Sequence, residues 1–121
     1  MDSHAPSVML IEKDEVTMEI YRRELSKSFT VLTFTDIPGV LEALADRTIR
    51  AVIIEPEISS GQGWELINSL DAVFPDRLIP VIVCSTRDSN PQLKGKNVTL
   101  YLTKPVLPRT LREKTLAVLG L

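Results

Sequence analysis

Ala51-Val52-Ile53-Ile54-Glu55-Pro56-Glu57-Ile58-Ser59-Ser60-Gly61-Gln62-Gly63-Trp64-Glu65-Leu66-Ile67 decides the fold. It opens as a short apolar run rich in β-branched residues, the pattern of a strand buried on both faces in the middle of a parallel sheet. The run stops at a carboxylate, Glu55. Pro56 cannot donate to a sheet ladder and pushes the residue before it toward extended geometry. Glu55 is therefore expected at the carboxyl end of a central strand. A polar loop with two glycines follows, and a helix is expected from Trp64 to about Ala72, with Pro75 marking its end. Ligands of open α/β sheets gather at the carboxyl ends of the strands, so a carboxylate there is the first functional clue.

Outward from this stretch, other apolar runs stop in the same way. Val8-Met9-Leu10-Ile11 ends at Glu12-Lys13-Asp14-Glu15. A helix is expected from Val16 to Ser26, with Val16, Ile20, Tyr21 and Leu25 on one face and Asp14 and Glu15 at its N-terminus, where the helix dipole favours anions. Phe29 to Thr35 reads as a strand. Asp36 reads as the N-cap of a helix with Pro38 in its first turn and Val40, Leu41 and Leu44 apolar, ending near Asp46-Arg47. Leu78 to Cys84 is another buried run, ending at Ser85-Thr86. Residues 87–97 are polar, with Pro91 and Gly95, and are expected to form a loop or at most one helical turn. Val98 to Leu102 is a fifth strand, ending at Thr103-Lys104-Pro105. A last helix runs from about Pro108 to Leu119, with Leu111, Thr115 and Val118 on one face and Gly120 as its stop.

This alternation implies an α/β fold: a three-layer, doubly wound parallel sheet of five strands in the flavodoxin-like order 2-1-3-4-5. Its fourth helix is expected to be short or missing. A chain of 121 residues suits one domain, set here at residues 8–121 with residues 1–7 as a frayed tail. The composition, 44% hydrophobic and 25% charged, is that of a globular protein with a packed core. A net charge of −2 gives no basic face for nucleic acid. No apolar run approaches the roughly 20 residues of a membrane helix, and residues 1–7 lack the pattern of a signal peptide. One cysteine, Cys84, excludes an internal disulfide and fits a cytoplasmic protein.

The strand-end residues resemble those of response regulator receiver domains of two-component (phosphorelay) signalling, the CheY-like type, over nearly the whole chain. That family carries an acidic pair after strand 1, a phosphoacceptor aspartate after strand 3 with glycine eight residues on, Ser or Thr after strand 4, and Lys-Pro after strand 5. Here Glu12, Glu55 with Gly63, Ser85 and Lys104-Pro105 occupy those places. The resemblance implies a cis Lys104-Pro105 bond and an aromatic switch residue at Tyr101. In a working site it implies magnesium held by Glu12, Glu55 and the Glu57 backbone.

Two departures alter what the resemblance implies. Glu55 stands where the family has Asp; it is one methylene longer, and phosphoryl transfer depends on placement. Lys13 stands where the family has a second acidic magnesium ligand, and an ammonium cannot ligate a cation that wants octahedral oxygens. Asp14 could serve only if the loop slipped by a residue. The expectation is that Lys13 replaces the metal and locks Glu55 in an ion-pair network with Lys104. Glu55, with its charge further out than that of Asp, would then hold the domain in one signalling state. The site would be a degenerate one and not an enzyme's, without cofactor, and the domain would act by protein contacts with a second copy or with an output domain of a longer regulator. The alternative is a magnesium-dependent phosphoacceptor. A flavin or nucleotide binder is disfavoured, because the loop after strand 1 has no glycine and is acidic. Plainer readings stand beside these: Ser85 capping the turn after its strand, Tyr101 as a half-buried strand aromatic, Lys13 as a loop lysine.

Overall fold

The computed structural model describes residues 5–87 and 98–121. Its elements are β1 (Ser7–Ile11), α1 (Glu15–Leu25), β2 (Thr30–Phe34), α2 (Val40–Leu44), β3 (Ile49–Ile54), a 3-10 turn (Ile58–Gly61), α3 (Gln62–Val73), β4 (Val81–Ser85), β5 (Leu100–Thr103) and α4 (Pro108–Val118). The five strands form one sheet in the order β2-β1-β3-β4-β5, and every pairing is parallel. Strand β1 begins at Ser7, one residue before the apolar run, and Ser7 pairs with Thr30 and Ile49. Residues 1–4 and 88–97, including the expected weak helix, lie outside the described residues.

The alternation of side chains along each strand builds the two halves of the core. Met9, Ile11, Val52, Ile54, Val81 and Val83 face one way and meet Val40 and Leu44 of α2 and Leu66, Ile67 and Leu70 of α3. Val8, Leu10, Ala51, Ile53, Ile82 and Cys84 face the other way and meet Tyr21 and Leu25 of α1 and Leu111 of α4. Burial pushes the Cys84 thiol up to about 12, which keeps it protonated and unreactive.

Two helix expectations and two strand starts are corrected. In α1, Tyr21 and Leu25 are buried, but Val16 and Ile20 are 70% and 49% exposed. The helix has only one side against the sheet, and α4 covers part of the rest, with Arg112 bonded to Glu24 at 2.9 Å. Helix α2 starts at Val40, not after Asp36, because Gly39 takes a left-handed φ of 88° immediately before it. Asp36 instead accepts a hydrogen bond from the Ile37 N–H (2.8 Å). The short α2 is held at its other end by Arg77, whose guanidinium donates to the carbonyls of Leu44, Asp46 (3.2 Å) and Ile49 (2.9 Å) just where the helix ends and β3 begins. Strands β4 and β5 begin later than expected, at Val81 and Leu100.

The eight-residue spacing of Glu55 and Gly63 has a packing cause. Gly63 lies in the first turn of α3, against the backbone where the chain leaves β3. A Cβ on it would stand 2.6 Å from the Pro56 carbonyl oxygen and 2.7 Å from the Pro56 Cα. Only backbone movement could relieve that contact. Gly63→Ala should therefore cost about 1–3 kcal/mol, read as a lower urea midpoint with an unchanged slope.

Candidate functional site: a lysine between two buried carboxylates

The parallel register brings the strand ends together. Ile11 of β1 pairs with Ile54 of β3, so Glu12 and Glu55 leave neighbouring strands at one level. The Glu55 N–H donates to the Ile11 carbonyl (2.9 Å), and the Glu12 N–H to the Phe34 carbonyl (3.0 Å). Ser85 pairs with Thr103, and the Lys104 N–H donates to the Ser85 carbonyl (2.7 Å). The Lys104-Pro105 peptide is cis.

Glu12 and Glu55 are only 2% and 3% exposed. Two buried carboxylates side by side repel unless a cation lies between them. That cation is Lys104: its Nζ is 2.7 Å from Glu12 Oε1 and 3.1 Å from Glu55 Oε1. Burial alone would lower the Lys104 pKa; the Glu12 carboxylate, and then Glu55, outweigh it and raise the value above that of an ordinary lysine. The remaining oxygens are also engaged. Glu12 Oε2 accepts from the Asp14 N–H (3.0 Å), and Glu55 Oε2 from the Glu57 N–H (3.1 Å).

Lys13 does not take the part expected of it. It is exposed, and the ammonium on Glu12 and Glu55 belongs to Lys104. The reason is local: Glu12 ends the strand and points inward, and the next residue of a turn leading into a helix faces solvent. Asp14 is also placed elsewhere. It is the N-cap of α1, and its carboxylate accepts from the Thr17 N–H (2.9 Å) and hydroxyl (2.5 Å). Those bonds hold its carboxyl below the usual aspartate range. Ser85 is fully buried at the end of β4, and its Oγ accepts from the Arg87 N–H (3.1 Å), capping the turn.

Tyr101 is half-buried in β5. Its ring lies nearly parallel to that of Trp64, with centroids 6.5 Å apart and an interplanar angle of 9°. Its hydroxyl donates to the Arg87 carbonyl (3.0 Å). The Trp64 Nε1–H donates to Glu57 (3.1 Å). Sequence reading missed this second cluster, because only the folded course of the chain between Pro56 and Gly63 brings Glu57 to the indole.

Strand order, rim residues and cis bond together make the architecture recognisable. The fold is that of the CheY-like response regulator receiver domains. It superposes on a CheY-like receiver domain protein of Methanospirillum hungatei JF-1 with a TM-score of 0.82, at 17% identity over 94% of this chain and 93% of that one. The receiver domain of an HD domain-containing protein from Pseudomonas fluorescens Pf-5 gives 0.81, at 20% identity over 97% and 96%. An orphan response regulator of H. pylori gives 0.78, at 18% identity over 93% and 95%. No protein-family model matches the sequence, and no curated protein matches it. No described helix is long and apolar enough to cross a membrane.

The residues present do not fit the magnesium that such a fold implies. Both inner carboxylate oxygens are bound to Lys104, both outer ones to backbone N–H groups, Lys13 stands where a further acid would be needed, and Asp14 is committed to its helix. Among the described residues no group of three metal-ligating side chains comes together.

Lys104→Met should leave two buried carboxylates uncompensated and destabilise the domain by about 3–5 kcal/mol, with partial recovery in the Lys104→Met/Glu12→Gln double variant. The raised Lys104 pKa sets the pH dependence. Its contribution is complete below the unfolded-state value of ~10.4 and is lost as pH rises through the higher folded value. The stability gap between wild type and Lys104→Met, followed by urea unfolding, should narrow across that alkaline window. Lys13→Met should change stability by less than about 0.5 kcal/mol, as for other solvent-facing side chains. Early melting of this variant would restore Lys13 to the network.

Proposed function

We propose that the chain is an atypical receiver module of two-component signalling that acts through protein contacts, with no phosphoryl group on Glu55 and no resident metal. The observation that carries this reading is the Lys104 ammonium seated on both Glu12 and Glu55. A phosphoacceptor must offer a free carboxylate oxygen to the incoming phosphorus, and a divalent cation must bridge that carboxylate to its neighbour. Here one oxygen of each carboxylate already lies against the Lys104 ammonium, and the other accepts a backbone N–H. Magnesium at these oxygens would have to compete with the Lys104 ammonium and the backbone donors that already occupy them. The extra methylene of Glu55 adds to the mismatch, since an acyl phosphate on it would stand about an ångström beyond the place that the family geometry serves, and misplacement on that scale is costly.

The same arrangement supplies what such a module needs, a single stable state of the rim. Its partners in this reading are proteins, either an output domain joined to it or a second copy of the chain, and its action is cytoplasmic.

Incubating the protein with magnesium and acetyl phosphate should leave its intact mass unchanged, and Trp64 fluorescence should not respond. Addition of one phosphoryl mass, dependent on magnesium and abolished by Glu55→Gln, would overturn the reading in favour of a working phosphoacceptor.

A further inference from the structure

A second carboxylate leaves the β3 exit, and the pocket does not use it. Among the described residues, Glu57 is tied to the pocket by its backbone, whose N–H donates to Glu55 Oε2 (3.1 Å). Its side chain serves the other side of the loop: Glu57 Oε2 accepts the Trp64 indole N–H (3.1 Å) and lies 3.8 Å from Arg87 Nε. Trp64 stacks on Tyr101, the Tyr101 hydroxyl reaches the Arg87 carbonyl, and the Arg87 N–H returns to Ser85 Oγ. The contacts make a continuous path from Glu55 through Glu57, Trp64, Tyr101 and Arg87 to Ser85.

The links differ in what they can fix. The Glu57–Arg87 pair is long, and the arginine side chain is 70% exposed, so it orients little. The Glu57–Trp64 bond is of another kind. An indole has a single donor, so the acceptor that takes it sets the rotation of the whole ring. An ionised acceptor makes that bond stronger than a neutral one would. The plane of the indole then sets the plane of the ring lying parallel to it, because aromatic pairs have specific favoured geometries.

We propose that Glu57 is the positioning residue for Tyr101. Its carboxylate fixes the Trp64 indole, and the indole fixes the Tyr101 ring, so the aromatic pair keeps one arrangement without any change of charge at Glu55. This deepens the phosphate-independent reading and rests on it: a module without a phosphoryl signal needs its rim aromatic held by something else, and the Glu57 carboxylate holds it through an internal hydrogen bond.

Proton NMR of the whole chain tests this. Trp64 is the single tryptophan, so its indole N–H gives one resolvable signal, and only two tyrosines contribute ring signals. In Glu57→Ala the indole N–H should move upfield, and the Tyr101 ring signals should lose the ring-current shift imposed by Trp64. Glu57→Gln, whose amide oxygen can accept the same bond, should retain both. In a Trp64→Phe background, which removes the donor but keeps an aromatic face, Glu57→Ala should change the Tyr101 signals no further. Tyr101 signals unmoved in Glu57→Ala would overturn the proposal, and so would Glu57→Gln behaving like Glu57→Ala. Intact mass after acetyl phosphate treatment separates the two ideas. Added phosphoryl mass defeats the phosphate-independent reading alone, whereas unmoved Tyr101 signals without added mass defeat the role of Glu57 alone.

Discussion

One ammonium group between two buried carboxylates governs this molecule. Lys104 comes from the end of β5, Glu12 from the end of β1 and Glu55 from the end of β3, so a single contact ties together three strand ends across the middle of the sheet. None of the three could be buried alone. A desolvated carboxylate is costly, and two adjacent ones are costlier still. The arrangement holds because each charged oxygen has a partner: the inner pair share the lysine, and the outer pair take backbone N–H groups from residues two positions downstream. The turns after β1 and β3 are thereby shaped by the same charges that the lysine neutralises.

The family pattern and the physics of this pocket diverge at that point. In a magnesium-dependent receiver the repulsion among clustered acids is relieved by a divalent ion. In this chain Lys13 stands in the place of one acid, Asp14 caps α1, and Lys104 contacts one oxygen of each remaining carboxylate. The single ammonium offsets one of the two carboxylate charges, and neutral backbone N–H groups take the remaining oxygens. The aromatic cluster beyond the loop is organised by the same economy of partners, with Glu57 linked through its backbone to the pocket and through its carboxylate to the indole.

Much of this was legible in the sequence, for identifiable reasons. Strands buried on both faces leave continuous β-branched runs, so β1, β3 and β4 could be read directly, and the residues at which those runs stop named the rim: Glu12, Glu55 and Ser85. Lys104 was legible because a lysine before proline at the end of such a strand has few structural reasons to be there. What could not be read was which of two lysines reaches the acids. Lys13 is next to Glu12 in the chain but faces solvent, whereas Lys104 is far away in the chain and adjacent in space. Boundaries failed where one residue's conformation decided them, as with Gly39 before α2. Val16 and Ile20 misled because their helical spacing matches a buried face that the sheet does not reach.

The most direct test of the central claim follows the carboxyl carbons of Glu12 and Glu55 and the Lys104 ammonium by NMR while magnesium is titrated into the protein. The account predicts that all three signals stay in place, with only the diffuse changes of ionic strength at exposed acids. A saturable shift of both carboxyl signals, accompanied by loss of the Lys104 hydrogen bonds, would show that a metal displaces the lysine and would contradict the account.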